Sequence, residues 1–176
     1  SFFSLENDNW MLLGLDTAYN DNRIFDAHDL YGDQNQWAYQ KLTAAKAQNK
    51  KGILLSHHQP FSAFADGGEK ILNKLSTSLS ELLVHTWFWG HEHRCTLYNE
   101  RENIKFPRCI GHGGIPFYVE NKALPDGVAY EYRDGFDDFN ETWNYFGFVV
   151  LDFEGSEITA RYINEQGIQH HVETIS

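Results

Sequence analysis

Two short stretches of this 176-residue chain carry side chains that could do chemistry: His57-His58 in LLSHHQPF, and His91 and His93 in WFWGHEHR. The zinc-protease pattern H-E-x-x-H does not apply, because its histidines stand four apart on a helix and these stand two apart. On an extended backbone, side chains two apart point the same way, so His91 and His93 suit chelation of a metal at a strand end. Gly90 before them allows the backbone to turn tightly. His57 and His58 are adjacent, so a regular strand end would deliver one of them to a given site. Neutral imidazole is a general ligand for zinc, copper, iron and nickel. Local hydrogen bonding of strand-end histidines is the plainer alternative for each pair.

The surrounding sequence indicates what positions them. Residues 10–16, WMLLGLD, form a short apolar run that reads as a buried strand, and residues 52–56, GILLS, form another that ends at His57. Residues 34–49 have helical spacing of Trp37, Leu42 and Ala45 before a Lys-Lys-Gly stop. Residues 69–84 carry Ile71, Leu72, Leu75, Leu79, Leu82 and Leu83, an amphipathic helical pattern. The strand HTWFW then leads into the histidine turn. Strand, helix, strand, helix, strand implies parallel strands with helical crossovers, and ligands gather at the carboxyl ends of such strands. Asp16, His57 and His91 each follow a strand in this reading. Beyond Cys95 the pattern changes to short strands at 94–99, 104–110, 145–153, 157–163 and 168–173, with tight hairpins expected around Gly155 and Gly167. His170-His171 fall on the last of these and read as surface. Residues 118–144 form an acidic, aromatic-studded insertion that reads as a loop capping the pocket, meeting a partner or simply solvated.

Composition bounds the rest. Apolar residues make up 41% and charged residues 22%, ordinary for a globular protein, and the length suits one domain over residues 1–176. The net charge of −11 argues against nucleic acid and anionic membranes as partners. No apolar stretch is long enough to span a bilayer as a helix. Cys95 and Cys109 are the only cysteines, which points to a reducing, cytoplasmic setting and leaves a single bridge between them open. The chain begins at Ser1, consistent with methionine removal or with a cut from a longer polypeptide.

Taken together, SHHQP at 56–60 and GHEH at 90–93 resemble the fourth and fifth of the five motifs of calcineurin-like metallophosphoesterases. LDT at 15–17, the Gln34-x-x-Trp37 helix start and GHGG at 111–114 are also similar to segments of that family. The resemblance runs from about Phe2 to Ile163. It implies an α/β chain forming the C-terminal half of a metallophosphoesterase-type sandwich of two sheets flanked by helices. It further implies His57 and His91 as ligands of one divalent ion and His93 as a ligand of its neighbour, the metals being manganese, iron, zinc or similar. His58 would be a catalytic residue facing the substrate, and Arg94 and His112 would contact the phosphoester. Two such ions about 3.5–4 Å apart share a hydroxide, lower its pKa and clamp the phosphate oxygens.

The first three motifs of that family, D-x-H, G-D-x-x-D and G-N-H-[DE], do not occur in working form. Asp26-Ala27-His28 and Gly32-Asp33 spell fragments of them, but in an expected loop and out of order, so they read as coincidences. The expected reading is therefore half of a phosphoesterase domain that needs its N-terminal half as a partner. Three histidines alone suggest weak metal binding, or one ion in a three-histidine site of the catalytic-zinc kind. A catalytically inactive binding domain of the same fold is the alternative from a different class.

Overall fold

The structure, a computed structural model, describes residues 1–19, 29–115, 117–119, 122–138 and 141–176, with Asp138 described by its backbone alone. Its frame is a seven-stranded sheet in the order β1-β2-β3-β4-β6-β5-β7. The strands are β1 (Phe3–Glu6), β2 (Trp10–Gly14), β3 (Lys51–Ser56), β4 (Thr86–Trp89), β5 (Cys95–Tyr98), β6 (Phe106–Ile110) and β7 (Val128–Glu131). The pairs β2–β3, β3–β4 and β4–β6 are parallel, while β1, β5 and β7 run antiparallel to their neighbours.

The period of two along these strands divides the apolar residues between two cores. Met11, Leu13, Leu54, Trp87 and Trp89 face one side, where they meet Ala38, Leu42 and Ala45 of α1 (Gln34–Ala47). Ile71 of α2 (Glu69–Lys74) and Leu79 of α3 (Ser76–Ser80) join the same side. Trp10, Ile53, Phe88, Cys95 and Leu97 face the other side. There they meet Ile158, Ala160, Tyr162 and Ile175 of an antiparallel three-stranded sheet, β10 (Gly147–Glu154), β11 (Glu157–Asn164) and β12 (Gln169–Ile175). The hairpin turns of that sheet carry Gly155 at φ 60° and Gly167 at φ 78°, in the left-handed region that glycine tolerates.

The two sheets are also joined by an ion pair in which Arg108 is buried and Glu173 half-buried. Arg108 of β6 donates from Nε to Glu173 Oε1 at 2.7 Å and from Nη2 to Glu173 Oε2 at 2.6 Å. Its Nη1 donates to the carbonyls of Tyr98 and Pro107, and Tyr162 donates its hydroxyl to Glu173. Burial pushes the Glu173 carboxyl up, but the paired guanidinium outweighs it and holds the group below the usual range.

The expected fold class does not hold. Among the described residues strands dominate, twelve against three helices, and two of those helices are six and five residues long. The sequence pattern over 69–84 reads as one helix, but the chain breaks at Leu75 and ends α3 before Leu82, which sits at φ 54°. The core between the two sheets contains no residue of α1, α2 or α3, and Phe148, Phe153 and Val172 of the small sheet remain exposed. The molecule is thus a strand-rich assembly rather than an α/β sandwich flanked by helices. Packing of β10–β12 against the large sheet supplies the cover that flanking helices would otherwise give. The 118–144 segment departs from the loop reading as well. It contributes β7 to the large sheet and an antiparallel hairpin, β8 (Gly135–Asp138) with β9 (Glu141–Asn144).

Cys95 and Cys109 are free thiols. Cys95 lies in the inter-sheet core and Cys109 in the core beneath the helices, so the sheet itself separates them.

Candidate metal centre

The parallel strands β3 and β4 deliver His57-His58 and His91 to one edge of the large sheet. Alternation does not govern His57 and His58, because β3 ends at Ser56 and the chain bends there. Both rings therefore turn to the same place. The two loops are tied by backbone bonds: Gly90 and His91 both donate N–H to the carbonyl of His57, at 3.0 and 2.8 Å. His91 Nδ1 lies 3.1 Å from His57 Nε2. The ring centroids of His58 and His91 are 4.7 Å apart, and those of His57 and His58 are also 4.7 Å apart. One ligand atom from each of the three lies within 4.8 Å of the others. His57 is exposed, His91 half-buried and His58 fully buried, so the group opens to solvent on one side.

Thr17, itself buried, fixes His58. Its Oγ1 accepts the His58 backbone N–H at 3.1 Å and lies 3.0 Å from His58 Nδ1. With Nδ1 engaged there, ligation by His58 runs through Nε2. Gln34, at the start of α1, holds the chain before Thr17 by donating to the Asp16 carbonyl at 2.9 Å and accepting the Asp16 N–H at 2.8 Å. Asp16 itself is not grouped with the three histidines.

The aromatic run before the histidines has a definite task. Trp87 and Trp89 bury toward the helices and Phe88 toward the small sheet, which fixes the end of β4 in both layers. Trp89 Nε1 then donates to Glu92 Oε2 at 2.6 Å, and Ser62 Oγ donates to Glu92 Oε1. Burial raises the Glu92 pKa above the usual carboxylate value, and the carboxylate points into the protein as an anchor for the turn. The turn is tight at His93, whose φ of 53° lies in the left-handed region and whose N–H donates to the Gly90 carbonyl. A turned backbone removes the same-side rule that applies to extended chains. The histidine group consists of His57, His58 and His91, and His93 lies outside it. Gly111 lets the following loop approach, since a Cβ there would sit 1.6 Å from the Gly90 carbonyl oxygen.

The two residues expected to contact substrate have partners of their own. Arg94 Nη1 pairs with Glu131, and its guanidinium lies 3.8 Å from the centroid of Phe64 and 3.6 Å from that of Phe117. His112 is buried at 1% exposure, in a second group with Cys95 and His170. Asp26 and His28 lie outside the described residues, and Asp33 precedes α1 with its carbonyl accepting the Trp37 N–H at 2.9 Å. The contribution of Thr17 has no local signal beyond its place after β2. The second group joins Cys95, His112 and His170, whose separations carry no ligand spacing.

Three imidazoles at this separation fit one divalent ion, the three-ligand arrangement that leaves a position for water or substrate. A second ion needs carboxylates, and among the described residues none joins the three histidines.

Comparison with known proteins was sparse. No protein-family model matches the chain, and no curated protein matches it. Among solved structures, it is similar to "GAP50 the anchor in the inner membrane complex of Plasmodium", with a TM-score of 0.68 at 14% identity. The match covers 100% of this chain and 53% of that one, so the chain spans about half the length of that relative. At this identity the likeness concerns the fold alone.

Proposed function

We propose that this chain binds a divalent metal ion through His57, His58 and His91 and forms the histidine-bearing part of a metal-dependent phosphoester hydrolase. The observation that carries this reading is the convergence of the three imidazoles at the carboxyl ends of two adjacent parallel strands. The likeness of SHHQP and GHEH to phosphoesterase motifs supports the choice of phosphoester as substrate class. A bound ion would supply Lewis acidity and an acidified water at that position. The protein's part is to present three neutral ligands that leave the positive charge uncancelled for a phosphoester to meet. Thr17 orients His58, the His57 carbonyl ties the two ligand loops together, and Glu92 anchors the turn from inside.

On this reading the two-ion centre becomes complete only with carboxylates supplied from outside the described residues, which is the role expected of an N-terminal partner half. The chain by itself would hold one ion at this centre and hydrolyse slowly or not at all.

A second reading, a fold of this kind kept for binding rather than catalysis, is favoured by the absence of any carboxylate beside the three histidines among the described residues. Calorimetric titration with Mn, Zn and Fe(II), followed by assay of a generic phosphodiester and monoester, separates the two. Loss of one bound ion per chain in His91→Ala, with metal-dependent turnover by any longer polypeptide containing this chain, is the expected result. Metal binding without turnover in that polypeptide selects the binding reading. The same metal stoichiometry and affinity in the wild type and His91→Ala sinks both.

A further inference from the structure

We propose that Cys95, His112 and His170 form a second metal site, buried between the two sheets, for a thiophilic transition-metal ion of the zinc class. It is independent of the histidine trio and of any hydrolytic activity. Cys95 opens β5 of the large sheet, His112 follows β6 across Gly111, and His170 lies on β12 of the small sheet. One ligand atom of each lies within 4.8 Å of the others. Tetrahedral zinc with ordinary Zn–N and Zn–S bonds places its ligand atoms about 3.4–3.6 Å apart, so a small closure suffices.

A second, independent observation points to a ligand. His112 is 99% buried, and neither of its ring nitrogens reaches a hydrogen-bond partner among the described residues. The Ile110 carbonyl nearby gives only a weak bias toward the charged ring. His170 uses Nδ1 on the Tyr130 hydroxyl at 2.9 Å, and its buried Nε2 has no partner among the described residues. Buried polar nitrogens left without a partner destabilise a fold, so such groups ordinarily serve a purpose.

The surroundings hold the ligands as a site would. Tyr132 stacks on His170 with centroids 3.7 Å apart and planes 15° apart, and its N–H donates to the Cys95 carbonyl at 3.0 Å. Gly147 makes room for the His112 ring, because a Cβ there would sit 2.4 Å from His112 Nε2. Burial holds both imidazoles neutral down to about pH 4, which is the ligating form. Soft thiolate with imidazole selects zinc and copper over magnesium or calcium. On binding, a metal–sulfur bond forms, the S–H bond of Cys95 breaks and its proton leaves to solvent, with no change in oxidation state. The ion would then staple the two sheets together.

The test uses Co(II) and Zn(II) on the purified, metal-free chain. Co(II) is expected to give thiolate-to-metal charge-transfer absorption that Zn(II) removes, and this should persist in the His57→Ala/His91→Ala variant. In that same background, Zn(II) should raise the melting temperature. Both effects should vanish in Cys95→Ser and in His170→Gln, with metal stoichiometry falling by one ion. His170 is only half-buried, so His170→Gln gives a folded control if Cys95→Ser does not fold. Absence of charge-transfer absorption in the wild type, or a zinc-induced melting shift unchanged by His170→Gln, overturns the proposal.

Discussion

His57 Nε2 lies 3.1 Å from His91 Nδ1, although the residues belong to different loops, because the His57 carbonyl accepts both the Gly90 and the His91 backbone N–H groups. Two ligands are thus fixed by main-chain bonds of the histidines themselves and of Gly90 beside them. That arrangement pre-organises the pair through the backbone, and the third ring, His58, is held separately by Thr17.

The first prediction follows from which histidine completes the trio. His58→Ala should lower metal affinity by about 100-fold, since removing one of three ligands leaves a bidentate pair. His93→Ala should change the affinity of the isolated chain by no more than a few-fold. Calorimetry on both variants decides the matter, and the reverse order of effects would assign the third place to His93.

Thr17→Val keeps the volume but removes the hydroxyl that meets His58. Metal affinity should fall about 10-fold through loss of ring orientation. The buried His58 N–H also loses its acceptor, which should cost about 1–3 kcal/mol of stability. Urea melts with and without metal separate the two effects. Unchanged metal affinity would remove Thr17 from the site.

Arg108 and Glu173 join the sheets in a bidentate pair. Breaking it from one side, by Arg108→Leu, should destabilise by about 2–4 kcal/mol because a half-buried carboxylate is left without its partner. The double variant Arg108→Leu/Glu173→Leu should recover part of that loss. A double-mutant cycle in urea measures the coupling, and additive losses would show that the pair does not act as a unit.

Acid should weaken the metal-free fold. Burial holds His85, His112 and His170 near pH 4, below the unfolded value of about 6.5. Between those values the unfolded chain binds more protons, so the stability these groups give is complete above about pH 6.5 and is lost as pH falls toward 4. His112, almost fully buried, should account for a loss on the order of 3 kcal/mol. His170, only half-buried, should contribute less. Glu92, whose pKa burial raises, works in the opposite sense over the low end of this range. Urea midpoints in chelator at pH 7.5, 6 and 5 should fall steadily; a flat profile contradicts the burial of neutral histidines.

Much of the strand framework can be read from local pattern alone. WMLLG, GILLS and TWFW are short apolar runs, and each forms a buried strand of the large sheet with parallel pairing between them. The hairpin turns at Gly155 and Gly167 and the span of α1 are equally local, because they depend on residues within one turn or one strand of each other. His57 and His91 stand directly after such runs, so their arrival at one sheet edge is legible too.

Tertiary structure decided what depends on distant partners. Whether 69–84 makes one helix or two, and whether 118–144 is loop or strand, depends on what packs against them. The same holds for the class of the fold, which the small sheet settles by covering the face where helices were expected. His58 joins His57 and His91 because the chain bends after Ser56, and alternation rules hold only for extended backbone. Cys95, His112 and His170 meet only because two sheets pack face to face. No spacing along the chain encodes that meeting, since the contact is made by the packing of the sheets and not by either strand.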